Sequence, residues 1–82
     1  MMSAVADKIR DYIFRRYPVL QAKGLGDNDS LVGVLDSLAV LGLVGYIEPE
    51  FSIELSPFDL TDENFETVVT ISRLVERKRS AG

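Results

Sequence analysis

The sequence predicts an all-α fold: a four-helix bundle with a long loop between helices one and two and a short third helix. Three observations carry this. Apolar residues recur at the i, i+3, i+4, i+7 spacing of one helix face in three separate segments. Prolines and capping residues stand at the ends of those segments. The 82 residues are 46% hydrophobic and 27% charged, the composition of a globular chain and not of a disordered one. We read residues 1–82 as one domain with a folded core over about 3–79.

The first helix spans Ser3 to Tyr17. Val5, Ile9, Tyr12 and Ile13 form its apolar face, Ser3 is its N-cap and Pro18 stops it. The connection from Pro18 to Asp36 holds the turn formers Gly24, Gly26, Asp27, Asn28, Asp29 and Ser30. Its apolar residues, among them Leu20, Leu25, Leu31 and Leu35, predict that it packs on the body; a loop this long has a function or hides a short helix.

Asp36 to Ile47 or Glu48 is the second helix, bounded by Pro49. Val40, Leu43, Val44 and Ile47, extended by Phe51, make its core stripe. Leu38, Leu41, Gly42 and Gly45 make a second, small apolar stripe, whose glycines each cost roughly 1 kcal/mol of helix stability relative to Ala. A short extended link, Phe51 to Leu55, follows. Ser56-Pro57 and Thr61 are alternative helix starts, with a one-turn helix expected near Thr61 to Phe65. The last helix runs from Glu66 or Thr67 to Arg79 and buries Val68, Ile71, Leu74 and Val75, with Ser80 to Gly82 frayed. Tyr12, Phe14, Tyr17, Tyr46, Phe51, Phe58 and Phe65 are expected in core or half-buried packing.

Composition narrows the chemistry. The chain has no Cys, no Trp and no His. It therefore lacks a disulfide framework, a thiolate nucleophile, the usual zinc ligands and the usual general base at neutral pH. Catalysis of its own is not expected. No apolar run approaches the roughly 18–20 residues of a membrane span. Met1 to Lys8 lacks the pattern of a signal peptide, so a cytoplasmic location is expected.

Charge falls into three blocks. Residues 1–26 and 67–82 each carry a net +3, whereas 27–66 hold ten carboxylates and no Lys or Arg, within a chain total of −4. A cation-free stretch of that length argues against nucleic acid, whose phosphates are bound by Lys and Arg. It fits a solubilising surface or one that docks on basic partners.

The second helix opens with Leu35-Asp36-Ser37-Leu38, and Glu48-Pro49-Glu50-Phe51-Ser52-Ile53 closes it. Asp59-Leu60-Thr61 through Asn64-Phe65 and Thr67-Val68 follow. Across residues 3–79 the chain resembles the acyl and peptidyl carrier proteins, whose attachment motif is Asp-Ser-Leu at the start of helix two. Within that family it looks most like stand-alone aminoacyl carriers, including the D-alanyl carrier group. The resemblance implies that Ser37 carries 4′-phosphopantetheine from coenzyme A, with Asp36 and Leu38 beside it. It implies as partners a phosphopantetheinyl transferase, an adenylating loading enzyme and a downstream acyltransferase or synthase, with the carrier itself a monomer. The docking face would be Leu38, Leu41, Gly42 and Gly45, with Glu48 and Glu50 at its rim. Where fatty-acid carriers place carboxylates along that face, this chain has Ala39, Gly42 and Pro49.

An amino-acid thioester keeps a charged ammonium that burial would penalise, so its carrier needs no expandable core and can pack tightly on Phe51, Phe65 and Ile71. The alternatives are a fatty acyl or polyketide carrier of a specialised pathway and an unmodified helical interaction module. A small DNA-binding domain is disfavoured by the acidic block.

Overall fold

The computed structural model describes residues 4–81. The expected N-cap Ser3 and the terminal Gly82 lie outside them. The described residues form four α-helices and one 3-10 turn: α1 (Ala4–Arg16), α2 (Pro18–Ala22), α3 (Ser37–Phe51), a 3-10 turn (Pro57–Asp59) and α4 (Val68–Ala81), with no strand among them.

In α1, Val5, Ile9 and Ile13 are buried and Tyr12 is half-buried, the face that the spacing predicts. Pro18 forces Tyr17 out of the helical region (φ −133°, ψ 76°). The same proline, with its fixed φ and no N–H to leave unpaired, then starts α2. The long connection thus contains a short helix, which buries Leu20. Gly24, at φ +74°, ends it: Leu25 N–H donates to Leu20 C=O at 3.1 Å and Gly24 N–H to Gln21 C=O at 3.0 Å. This six-to-one closure needs a left-handed residue, the conformation glycine adopts without strain.

Beyond α2 the chain is pinned down. Leu31, 1% exposed, donates its N–H to Glu66 C=O at 2.6 Å, and Val69 N–H donates to Asp27 C=O at 3.1 Å. Arg10 of α1 holds the Asp27 carboxylate through one guanidinium nitrogen at 2.9 and 3.1 Å.

α3 runs through Pro49 to Phe51, past the boundary expected at Ile47 or Glu48. Proline removes the hydrogen bond to residue i−4, here Gly45, which is exposed and can use water. Pro49 itself lies on the exposed side, so the helix continues past it and half-buries Phe51. Ser52 then ends it in the left-handed region at φ 54°, with Ile53 N–H donating back to Glu48 C=O.

The third helix appears as two single turns. Ser56 and Asp59 form a capping box around Pro57–Asp59, and Phe65 N–H donates to Thr61 C=O at 3.2 Å. At α4, Thr67 and Thr70 cap each other: each backbone N–H donates to the other's Oγ1 at 3.0 Å. Val68, Ile71, Leu74 and Val75 are buried as predicted, and the helix extends through Ser80 to Ala81 instead of fraying after Arg79. α1 packs most extensively on α4, and both close over Leu43 and Ile47 of α3.

Candidate functional site

Asp36 starts α3 from an extended backbone, and its Oδ1 accepts the Ala39 N–H at 2.8 Å. Its carbonyl takes the Val40 N–H at 2.9 Å. Asp36 is thus first a helix cap, through local chemistry that any Asp before a helix can supply. Ser37 follows as the first helical residue and is exposed. The Ser37 and Leu38 N–H groups have no acceptor among the described residues, as the first turn of a helix dictates. Those donors and the positive end of α3 favour an anionic oxygen near the Ser37 hydroxyl.

Ser37 stands at the mouth of a cleft of about 330 Å³ lined by Leu35, Asp36, Ser37, Val40, Leu41, Leu60 and Asp62. Behind it is a cavity of about 100 Å³ that shares Leu35, Val40 and Asp62 and adds Leu31, Val32, Gly33 and Phe65. Leu60 and Asp62 come from the segment before α4, some twenty residues from Ser37. Neither carries a local signal in the sequence that places it beside Ser37. A regular helix would have been recognisable by its period, but this irregular segment has none. A larger cleft of about 560 Å³, between α1, α2 and the end of α3, does not include Ser37; two of its charged groups, Lys8 and Glu50, already pair with each other.

The outer face of α3 is apolar. Leu38 is 80% and Leu41 59% exposed, and Gly42 and Gly45 are exposed between them. A side chain at Gly45 would meet open space, whereas a Cβ at Gly42 would lie 3.3 Å from the Tyr12 hydroxyl. The two carboxylates expected at the rim are held by the chain itself. Glu48 Oε2 accepts the Leu55 N–H at 2.9 Å, and Glu50 pairs with Lys8 of α1 at 2.7 Å. At about 100° per residue they sit on opposite flanks of α3, one towards the following link and one towards α1.

Aromatic placement matches expectation with one exception. Phe65 is buried, and Tyr12, Phe14, Tyr17, Tyr46 and Phe51 are half-buried; Tyr12 stacks on Tyr46 at 4.6 Å. Phe58, expected in packing, is 90% exposed. Its 3-10 turn buries no residue: Pro57 and Phe58 are both exposed, and Asp59 is the residue drawn inward, to Lys78 at 2.7 Å. Of the seven large apolar residues exposed among the described residues, six (Val32, Val34, Leu38, Leu41, Phe58 and Leu60) come from the segments before, within and after α3; the seventh is Val19.

No group of three or more His, Cys, Asp or Glu side chains able to hold a metal ion, and no helix long and apolar enough to cross a membrane, occurs among the described residues. Neither a scan against protein-family models nor a search of curated proteins finds a match to this chain.

Proposed function

We propose that this chain is a discrete carrier protein that holds an acyl or aminoacyl group on a 4′-phosphopantetheine arm attached to Ser37. The observation that carries the reading is the position of Ser37: an exposed hydroxyl, first in α3 behind the cap Asp36, at the mouth of a cleft and beside exposed Leu38 and Leu41. The resemblance of the Leu35-to-Leu38 and Asp59-to-Phe65 segments to carrier proteins supports it.

The surroundings fit the group. Ser37 Oγ attacks the pantetheine-side phosphorus of coenzyme A, the P–O bond to adenosine 3′,5′-bisphosphate breaks, and the hydroxyl proton goes to a base of the transferase. The free Ser37 and Leu38 N–H groups can donate to the phosphodiester oxygens. When bound, the arm supplies the thiol that this Cys-free chain lacks and carries cargo as a thioester at high local concentration. Leu38, Leu41, Gly42 and Gly45 form the docking face, flanked by Glu48 and Glu50, for the transferase, an ATP-dependent adenylating enzyme and an acyltransferase or synthase.

The cavity behind the cleft supports amino-acid cargo over a long fatty acyl chain. It is small, about 100 Å³, and the buried core residues Leu31 and Phe65 line it. A long chain would have to displace both. Cargo that keeps its ammonium in water makes no such demand.

The exposed apolar face also favours a second reading, an unmodified interaction module. Intact mass after incubation with coenzyme A and a broad phosphopantetheinyl transferase separates the two. The carrier reading expects the gain of one phosphopantetheine by the wild type and none by Ser37→Ala, with the helical content of the two proteins equal. Leu41→Asp is expected to slow the gain without loss of fold. An unmodified wild type would leave the interaction module.

A further inference from the structure

We propose that Phe58 anchors the protein partner that acts at Ser37, inserting into an apolar socket rimmed by Lys and Arg on that partner. The inference rests on the carrier reading and extends it to a residue outside α3.

The ring is held out by design of the turn beneath it. Ser56 N–H donates to Asp59 Oδ2 at 2.8 Å, Asp59 N–H to Ser56 C=O at 2.9 Å, and Asn64 Nδ2 to Asp59 C=O at 2.9 Å. Lys78 of α4 grips the same Asp59 carboxylate at 2.7 Å. These contacts fix the backbone on either side of a side chain that remains 90% exposed. An aromatic ring on a fixed backbone has only two side-chain torsions to lose on docking, a small cost for a large apolar contact.

Its position suits the same partner. Phe58 lies two residues, at most about 7 Å along the chain, from Leu60, which lines the cleft with Ser37. A docking footprint of about 800 Å² per partner takes in both. Charge identifies the occupant. No Lys or Arg occurs in residues 27–66, and the side chains of Glu54, Asp62 and Glu63 have no hydrogen-bond or ion-pair partner among the described residues. An enzyme that presents coenzyme A must neutralise its phosphates with Lys and Arg, so its mouth offers the complementary sign. Lys78, on Asp59, and Arg77, on Asn64, are the cations the fold brings to this segment, and against Glu54, Asp59, Asp62 and Glu63 they leave it net acidic, so a second copy of this chain would meet it with like charge.

The test measures the rate of phosphopantetheine transfer from coenzyme A by a broad transferase to wild type, Phe58→Ala, Phe58→Trp and Val19→Ala. Thermal melts and sedimentation accompany the rates. The inference expects Phe58→Ala to lower kcat/KM by about tenfold or more, mostly through KM, at an unchanged melting temperature. Phe58→Trp should recover most of the loss, Val19→Ala should match the wild type, and all four proteins should be monomers. Equal rates for Phe58→Ala and wild type would overturn it, as would a rate loss that tracks a lowered melting temperature. A wild-type dimer that Phe58→Ala dissolves would assign the ring to a second copy and also overturn it. If the wild type is not modified at all, the carrier reading itself fails and this inference with it.

Discussion

Asp59 gathers contacts from three directions: the Ser56 N–H and hydroxyl reach its Oδ2, as does the Lys78 ammonium, while its own carbonyl accepts from Asn64. The hydrogen bond from Lys78, then that from the Ser56 backbone, hold its carboxyl below the ordinary 3.8. As pH falls, the unfolded chain therefore takes up this proton before the folded one does. The stabilisation is complete above about 3.8 and is lost as pH falls through the lower folded value. Asp59→Asn is expected to lower the neutral plateau of a plot of melting temperature against pH and to converge on the wild type as pH falls, so that its acid limb is flatter. An acid limb identical to the wild type would remove Asp59 from the account of acid stability. At this scale the sequence was partly legible: Ser56 before Pro57 marks a helix start by local chemistry, but Lys78 lies nineteen residues further on, and no local rule pairs it with Asp59.

On α3, the core stripe of Val40, Leu43, Val44, Ile47 and Phe51 follows from the 3.6-residue period, and the cap at Asp36 from residue type. The end of the helix did not follow from the sequence. Pro49 reads as a boundary, yet the one hydrogen bond it removes lies on the solvent side, where the Gly45 carbonyl can use water, and the turn beyond it half-buries Phe51. The two glycines of the outer face separate by environment. Gly45→Ala meets open space and is expected to stabilise the protein by about 1 kcal/mol, a rise of roughly 4–8 °C in melting temperature for a domain this small. Gly42→Ala pushes on the Tyr12 hydroxyl and through it on the Tyr12–Tyr46 stack, so its gain should be smaller or reversed. A loss of stability from Gly45→Ala would contradict a continuous helix at that position. A stabilised Gly45→Ala that is also modified more slowly at Ser37 would show that the glycine serves close approach by a partner.

The whole molecule has a radius of gyration of 11.8 Å, close to the roughly 12 Å of a compact chain of its length. The three charge blocks help to achieve it. The acidic centre is tied to both basic flanks, by Arg10–Asp27 and Lys8–Glu50 to α1 and by Lys78–Asp59 to α4. A charge pattern that reads as a partner surface is therefore in part an internal clamp. The Asp27 side chain is 8% exposed, so Arg10→Met leaves a nearly buried carboxylate without its counter-ion. Because Arg10 itself is partly solvated, the expected loss is about 2 kcal/mol, read by urea unfolding, with faster amide exchange at Leu31 as the connection loosens. A cost near zero would mean that the backbone bonds of Leu31 and Val69 suffice. By itself the sequence determined the three long helices, their buried faces and the place of Ser37 at a helix start, because period and capping act over three or four residues. Tertiary structure alone decided the pinning of the long connection, the passage of α3 through Pro49, the exposure of Phe58 and the cleft that joins Ser37 to Leu60 and Asp62. Each depends on groups far apart in the chain, and which of them meet is set by how the helices pack.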